Sequence, residues 1–235
     1  MKILALEFSS EQRSAAMLDT SSTDLIFEAK TSQPGGTKAF ALIEDVLRQA
    51  NCERKTIECI AVGLGPGSYA GIRIAIAIAQ GWQLAREINL LGVSSVEAIA
   101  WEAQKAKING TATICIDAQR GEFYLATYSI HRAQPSAPLS PLGGERWGEG
   151  AARDLVPPLH LATAQETKAR ADAGDLMIGP EVTKWFPAGR ILSPTARAVA
   201  ALASSRTDFV PGDRLEPIYL RETSFVKAPP ARTIT

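Results

Sequence analysis

Three short apolar runs, Ile3 to Phe8, Ser14 to Leu18 and Leu25 to Ala29, open the chain, and the polar Ser/Thr-rich links between them suit an antiparallel three-stranded start. The period then lengthens. From Lys38 to Ala50 the apolar residues Phe40, Ile43, Val46, Leu47 and Ala50 recur at helical spacing, with Thr37 available as a cap after the turn Pro34-Gly35-Gly36. Ile57 to Gly63 reads as a buried strand running into a loop rich in glycine. Beyond it Ile72, Ile74, Ile76 and Ile78 alternate with Arg73, Ala75, Ala77 and Ala79 as a strand would. Length decides against a strand: the segment continues without proline to Ala85 and its alanines favour a helix over Gly71 to Ala85. Being apolar nearly all round, that helix should be buried on more than one side. Leu90 to Val93 follows as a strand and Val96 to Ala106 as a helix, completing βββαβαβα, the order of a ribonuclease H-like lobe.

A second lobe is expected to start near Thr111, with a strand to Asp117, a turn at Gln119-Arg-Gly121 and an alternating strand from Glu122 to Ile130. His131 to Arg153 has neither period and contains Pro135, Pro138, Pro141 and four glycines, the composition of a flexible insertion. Asp175 to Gly179 then reads as a strand, Pro194 to Ser204 as a helix and Glu216 to Arg221 as an extended segment. The expected division is a first lobe over 1-108 and a smaller second lobe over 109-235. At 235 residues and 46% apolar content, the chain can bury the core that such a two-lobed α/β architecture requires.

Lys plus Arg and Asp plus Glu are balanced at 25 each, so no global basic field favours strong direct binding of a nucleic acid. The opening Met1-Lys-Ile-Leu-Ala-Leu-Glu7 is too short an apolar run for a signal-peptide core, and no later run of about 18 apolar residues could span a membrane. A cytoplasmic protein is expected. Cys52, Cys59 and Cys115 lack paired metal-ligand spacing, and Cys59 and Cys115 lie in apolar runs that suit buried free thiols.

Candidate chemistry centres on Gly63-Leu-Gly-Pro-Gly-Ser-Tyr-Ala-Gly71, four glycines within nine residues. A nucleotide-hydrolase phosphate loop needs lysine and a hydroxyl after its last glycine, whereas Gly71 precedes Ile72-Arg73. Two readings stay open: weak anion binding at the helix N-terminus, or a structural turn in which Gly65, Pro66, Gly67 and Gly71 allow tight backbone packing. Glu7 and Asp117 could pair across two lobes around a magnesium nucleotide, but the bulk of Phe8 is expected to obstruct a phosphate. Only His131 and His160 are present, so Ser9, Ser68 and Ser94 have no plausible histidine base and no two-histidine metal motif exists. No cofactor or catalytic residue is assigned. The remaining feature is steric: Gly71, Ala75 and Ala79 recur every fourth residue, a small-residue stripe that lets a second helix approach, flanked by Ile72 and Ile76. Core packing explains part of it, and an intermolecular contact can add to that.

Four stretches, Ile3-Leu-Ala-Leu-Glu-Phe-Ser-Ser10, Gly65-Pro-Gly-Ser-Tyr-Ala-Gly-Ile-Arg73, Ile116-Asp-Ala-Gln-Arg-Gly-Glu-Phe-Tyr124 and Glu216-Pro-Ile-Tyr-Leu-Arg221, span nearly the whole chain. In that order they resemble the TsaB family, accessory proteins of tRNA threonylcarbamoyladenosine biosynthesis related to the glycoprotease family. The resemblance implies an actin/hexokinase-like fold without its own catalytic site. It further implies pairing with a TsaD-type catalytic subunit, entry of a TsaE-type ATPase, and a homodimer through the same surface when TsaD is absent. That surface corresponds to the helices at about Lys38 to Ala50 and Gly71 to Ala85, placing Phe40, Ile43, Leu47, Gly71, Ile72, Ala75, Ile76 and Ala79 at the expected interface. The chain departs from the family where Asp-Thr is replaced by Glu7-Phe8, where a histidine-containing turn is replaced by Gly36-Thr37-Lys38, and in the proline/glycine insertion. The alternative function is a nucleotide-binding enzyme of the same superfamily.

Overall fold

The computed structural model describes residues 1–21, 26–32, 39–130, 140–141 and 159–220. The opening strands are β1 (Lys2–Glu7), β2 (Arg13–Asp19) and β3 (Ile26–Thr31), followed by helix α1 (Ala39–Gln49), strand β4 (Cys59–Gly63), helix α2 (Tyr69–Ala85), strand β5 (Asn89–Val93) and helix α3 (Ser95–Lys105). The strands form one sheet in the order β3-β2-β1-β4-β5, antiparallel through the first three and parallel from β1 to β5. The βββαβαβα reading therefore holds, and each parallel step is made by a helical crossover. Thr37 and Lys38, the expected cap and first residue of α1, lie outside the described residues.

Both faces of this sheet are covered, which is why β1 and β4 read as unbroken apolar runs. Leu4 and Leu6 point toward α1 and α2, which lie side by side and contribute Leu42, Ile43, Val46, Leu47, Ile72, Ala75, Ile76 and Ala79 to that core. Ile3, Ala5, Cys59 and Ala61 point the other way, toward helix α5 (Ala196–Ala203).

The second sheet contains β6 (Gly110–Asp117), β7 (Glu122–Ile130), β8 (Ser140–Pro141), β10 (Leu176–Gly179) and β11 (Arg190–Ile191), in the order β11-β10-β6-β7-β8, with β9 (His160–Thr163) also pairing with β7. Helix α3 sits between the sheets: Val96, Ile99, Ala100 and Ala103 pack on β6 and β7 while Ala98 faces the first lobe. Helix α4 (Ala164–Asp172) has no counterpart in the sequence reading. It buries only Thr167 and begins with a reciprocal cap in which the Thr163 hydroxyl accepts the Glu166 N–H and the Glu166 carboxylate accepts the Thr163 N–H. His160 lies on β9. Apart from β8, the expected insertion at 131–153 falls outside the described residues.

The expected lobe boundary needs correcting. Helix α5 (Ala196–Ala203) belongs to the first sheet, where its narrow face of Ala196, Val199, Ala200 and Ala203 covers the side that α1 and α2 leave open. The chain then straps the first lobe: Val210 N–H donates to the Leu90 carbonyl at 2.9 Å, and Ile218 N–H donates to the Leu64 carbonyl at 2.9 Å. Gly212 exchanges hydrogen bonds with Gln80 and Gln83 of α2. The second sheet, β6 to β11, is thus an excursion from a first lobe that both ends of the described chain complete.

Candidate functional site

The glycine loop is a backbone joint. Gly65 and Gly67 have φ of +86° and +148°, values open to glycine, and the Gly65–Pro66 peptide is cis. A Cβ on Gly67 would stand 2.1 Å from the Ser9 carbonyl oxygen, and one on Gly71 would stand 2.0 Å from that of Phe8. Three of the loop amides are occupied as well. Gly65 N–H donates to Ser95 Oγ at 3.1 Å, Ser68 N–H to the Ser9 carbonyl at 2.6 Å, and Gly71 N–H to Ser68 Oγ, the cap of α2, at 3.3 Å. These three donors are thus turned onto the protein itself, the Ser68 amide onto the β1–β2 connection.

Glu7 locks the same joint from below. It is fully buried, its carboxylate accepting the Ser9 N–H at 2.7 Å and the Ser95 hydroxyl at 2.8 Å, and it fills the space over Gly63, where a Cβ would lie 1.9 Å from Oε2. Burial raises its pKa above 4.5, partly offset by bonds from Ser9 and Ser95. Because the folded value is the higher one, folding favours the protonated acid. This contribution is complete below the unfolded value and is lost as pH rises through the folded one. Glu7→Gln should therefore flatten the pH dependence: its stability relative to the parent should climb as pH rises above about 4.5, the ordinary glutamate value, then level off. Urea denaturation of both proteins across that range checks this; a constant offset at every pH refutes it.

Phe8 does not obstruct a cleft. It is wholly buried beneath α2, and the backbone contacts at Gly67 and Gly71 are what close the loop. Cys59 and Cys115 are buried free thiols whose pKa burial pushes up to about 12.

The expected interface stripe points inward. Ile72, Ala75 and Ala79 have no exposed surface, Ile76 retains 6%, and Gly71 is buried against Phe8. Ile43 and Leu47 of α1 are likewise seated on the sheet, so Phe40, 65% exposed, is the one member of the expected set that reaches the surface. The physical reason is the close approach of α2 to its own β1–β2 connection: narrow side chains let the helix settle on β1 and β4.

Turning α2 by half a revolution exposes a different stripe. Ala70, Arg73, Ala77, Gly81 and Leu84 share the outer face, with Ile74 half-buried beside them. Leu84 is 91% exposed, and a Cβ at Gly81 would meet nothing within 4 Å. Arg73 is the only charge there, its guanidinium hydrogen-bonded to the Tyr69 hydroxyl. Phe40 and Ala41 of α1 lie exposed on the same side of the lobe. The sequence held this second small-residue pattern too. The small residues alone do not distinguish it from the first, but Arg73, the one charge of α2, falls on this stripe and marks it as the outer face.

A cleft of about 820 Å³ separates the lobes, walled by the β1–β2 connection, the start of α2, the β6–β7 turn and the segment after β10. In the β6–β7 turn, Gln119, Arg120 and Gly121 all adopt left-handed backbone, with φ of 64°, 60° and 75°. Asp117 holds this turn by accepting the Gln119 N–H at 2.7 Å and its side-chain amide at 2.8 Å.

A family model described as TsaD, tRNA N6-adenosine threonylcarbamoyltransferase, matches residues 37–136. The tRNA threonylcarbamoyladenosine biosynthesis protein TsaB of Escherichia coli is 32% identical over 128 residues, 54% of this chain and 55% of that protein. The protein of the same description from Bacillus subtilis is 29% identical over 130 residues, 54% of this chain and 55% of its own length. The chain thus spans about half the length of the curated relatives it matches. Among solved structures, YeaZ from Pseudomonas aeruginosa shares the fold with a TM-score of 0.69 and 23% identity, covering 93% of this chain and 99% of that one. TsaB proteins are thus similar in sequence to about half of this chain, YeaZ shares its fold over nearly all of it, and the TsaD model covers the glycine loop together with α1 and α2.

Proposed function

We propose that this protein is a noncatalytic, cytoplasmic accessory subunit that activates a TsaD-type enzyme in threonylcarbamoyl transfer to the anticodon-adjacent adenosine of tRNA. Association uses the outer faces of α1 and α2. The observation that carries this reading is the almost uncharged stripe Ala70, Ala77, Gly81 and Leu84 beside exposed Phe40. Small residues let a second helix pair approach closely, and four helices can bury an area typical of specific complexes, about 1,600 Å². A TsaE-type ATPase joins the assembled pair, and two copies of this chain meet through the same face when TsaD is absent. The noncatalytic part is supported by the glycine loop, whose Gly65, Ser68 and Gly71 amides are committed to the protein's own backbone and side chains.

Mixing the purified chain with the TsaD-type subunit of the same organism tests the reading. A stable heterodimer on a sizing column is expected, with threonylcarbamoyl transfer to tRNA only when both subunits are present. Transfer by this chain alone, or by TsaD at full rate without it, overturns the proposal.

A further inference from the structure

Arg73 is the single charged residue of α2, and it stands within the otherwise apolar stripe of Ala70, Ala77, Gly81 and Leu84. Its guanidinium is held in place. It lies 5.1 Å from the Tyr69 ring centroid and donates to the Tyr69 hydroxyl, while Tyr69 stacks on Tyr219 of the closing strap at 5.3 Å between ring centroids. The two rings remain 56% and 41% exposed. These contacts fix the position of Arg73 without answering its charge. Burial, and after it Tyr69, push the Tyr219 pKa up to about 12 against the opposing pull of Arg73, so that phenol is neutral. Among the described residues no carboxylate forms an ion pair with Arg73, and only Nη1 of its guanidinium is hydrogen-bonded.

A protein surface that covers the stripe must either answer this charge or bury it unpaired, which is costly. A carboxylate answers it best. The guanidinium fork accepts a carboxylate through two parallel bonds, and the adjoining N-terminal end of α2, which has no acidic residue in its first turn, also favours negative charge. Tyrosine and arginine are the side chains that most often anchor interfaces.

A second copy of this chain is a poor source of that carboxylate. Helix α2 contains no acid, and the two acids of α1, Glu44 and Asp45, already pair with Arg54 and Arg48. Glu87, two residues beyond α2, is the next acid along the chain. It meets Arg73 of another copy only if the two helices cross antiparallel beside Gly81. We infer that Arg73, steadied by Tyr69 and Tyr219, is the specificity-determining residue of the α2 face: it receives a carboxylate of the TsaD-type partner and, left unanswered, opposes the pairing of two copies of this chain. The inference rests on the proposed association and adds what selects the heterodimer over the homodimer.

The experiment titrates the full-length chain and its Arg73→Ala and Arg73→Lys variants with the TsaD-type subunit of the same organism, by calorimetry at low and high salt. Analytical ultracentrifugation reads the self-association of each. Arg73→Ala should weaken the heterodimer by about tenfold or more, as for an interface anchor, and remove most of the salt dependence that the parent shows. Its self-association should instead tighten, because each copy then buries no unanswered charge. Arg73→Lys, which keeps the charge without the fork, should fall between parent and alanine variant in heterodimer affinity. Thermal unfolding establishes that both variants fold. Full heterodimer affinity in Arg73→Ala overturns the inference while leaving the association standing. Self-association that stays the same or weakens also overturns it, and weakening is what an Arg73–Glu87 contact between copies would give. A parent protein that forms no heterodimer refutes the association on which the inference rests.

Discussion

Ala77→Glu is expected to abolish association with the TsaD-type subunit while leaving a folded monomer, whereas Ala75→Glu, on the opposite side of the same helix, is expected to abolish the fold. Ala77 faces outward, and a carboxylate there is hydrated in the free chain. Docking would bury it unpaired, at a cost of several kcal/mol, or at least a hundredfold in affinity. Leu84→Glu should act in the same direction, since it replaces a large apolar side chain that is 91% exposed with a charge. Ala75 has no exposed surface, so its carboxylate would be unpaired within the chain's own core. That cost is comparable with the entire stability of an ordinary domain. Circular dichroism and a sizing column on the three variants decide the matter. If Ala77→Glu still forms the heterodimer, α2 docks by some other face or not at all.

Two glycines of α2 should respond oppositely to alanine. At Gly71 the new methyl would stand 2.0 Å from the Phe8 carbonyl oxygen, a contact with backbone that cannot be relieved by a rotamer. A loss of about 3 kcal/mol, the upper end for overpacking, should lower the melting temperature by roughly 10 °C. Gly81 faces open space, so Gly81→Ala should raise stability by about 0.5–1 kcal/mol through helix propensity. The same methyl stands where a docked helix must come nearest, so affinity for the partner should fall as stability rises. Calorimetric melting paired with a binding titration reads both quantities. A Gly81→Ala protein that gains stability and binds as before would remove Gly81 from the contact.

These contrasts show where the sequence was legible. Length and alanine content correctly resolved α2 as a helix, despite isoleucines alternating as in a strand, because a strand of that length is rare. The choice of face was legible only through Arg73: small residues occur at Gly71, Ala75 and Ala79 and again at Ala70, Ala77 and Gly81, and the charge that shares the second set marks it as the outer one. The Glu7–Ser95 bond joins residues 88 positions apart and follows no period. Helix α4 escaped for the reverse reason. Its sequence Ala-Gln-Glu-Thr-Lys-Ala-Arg-Ala-Asp has almost no apolar face, although the Thr163–Glu166 capping signal was present to be read. The destination of α5 could not be inferred either, since an alanine-rich helix fits a sheet in either lobe.

That destination affects synthesis. The face of the first sheet bearing Ile3 and Ala5 receives its helical cover from residues 196–203, translated long after the strands themselves. A ribosome-bound intermediate ending near residue 130 therefore displays a finished β6–β7 hairpin beside a half-dressed sheet. The earliest-made lobe becomes the last to close, and chaperone contact should concentrate on that bare face until α5 emerges.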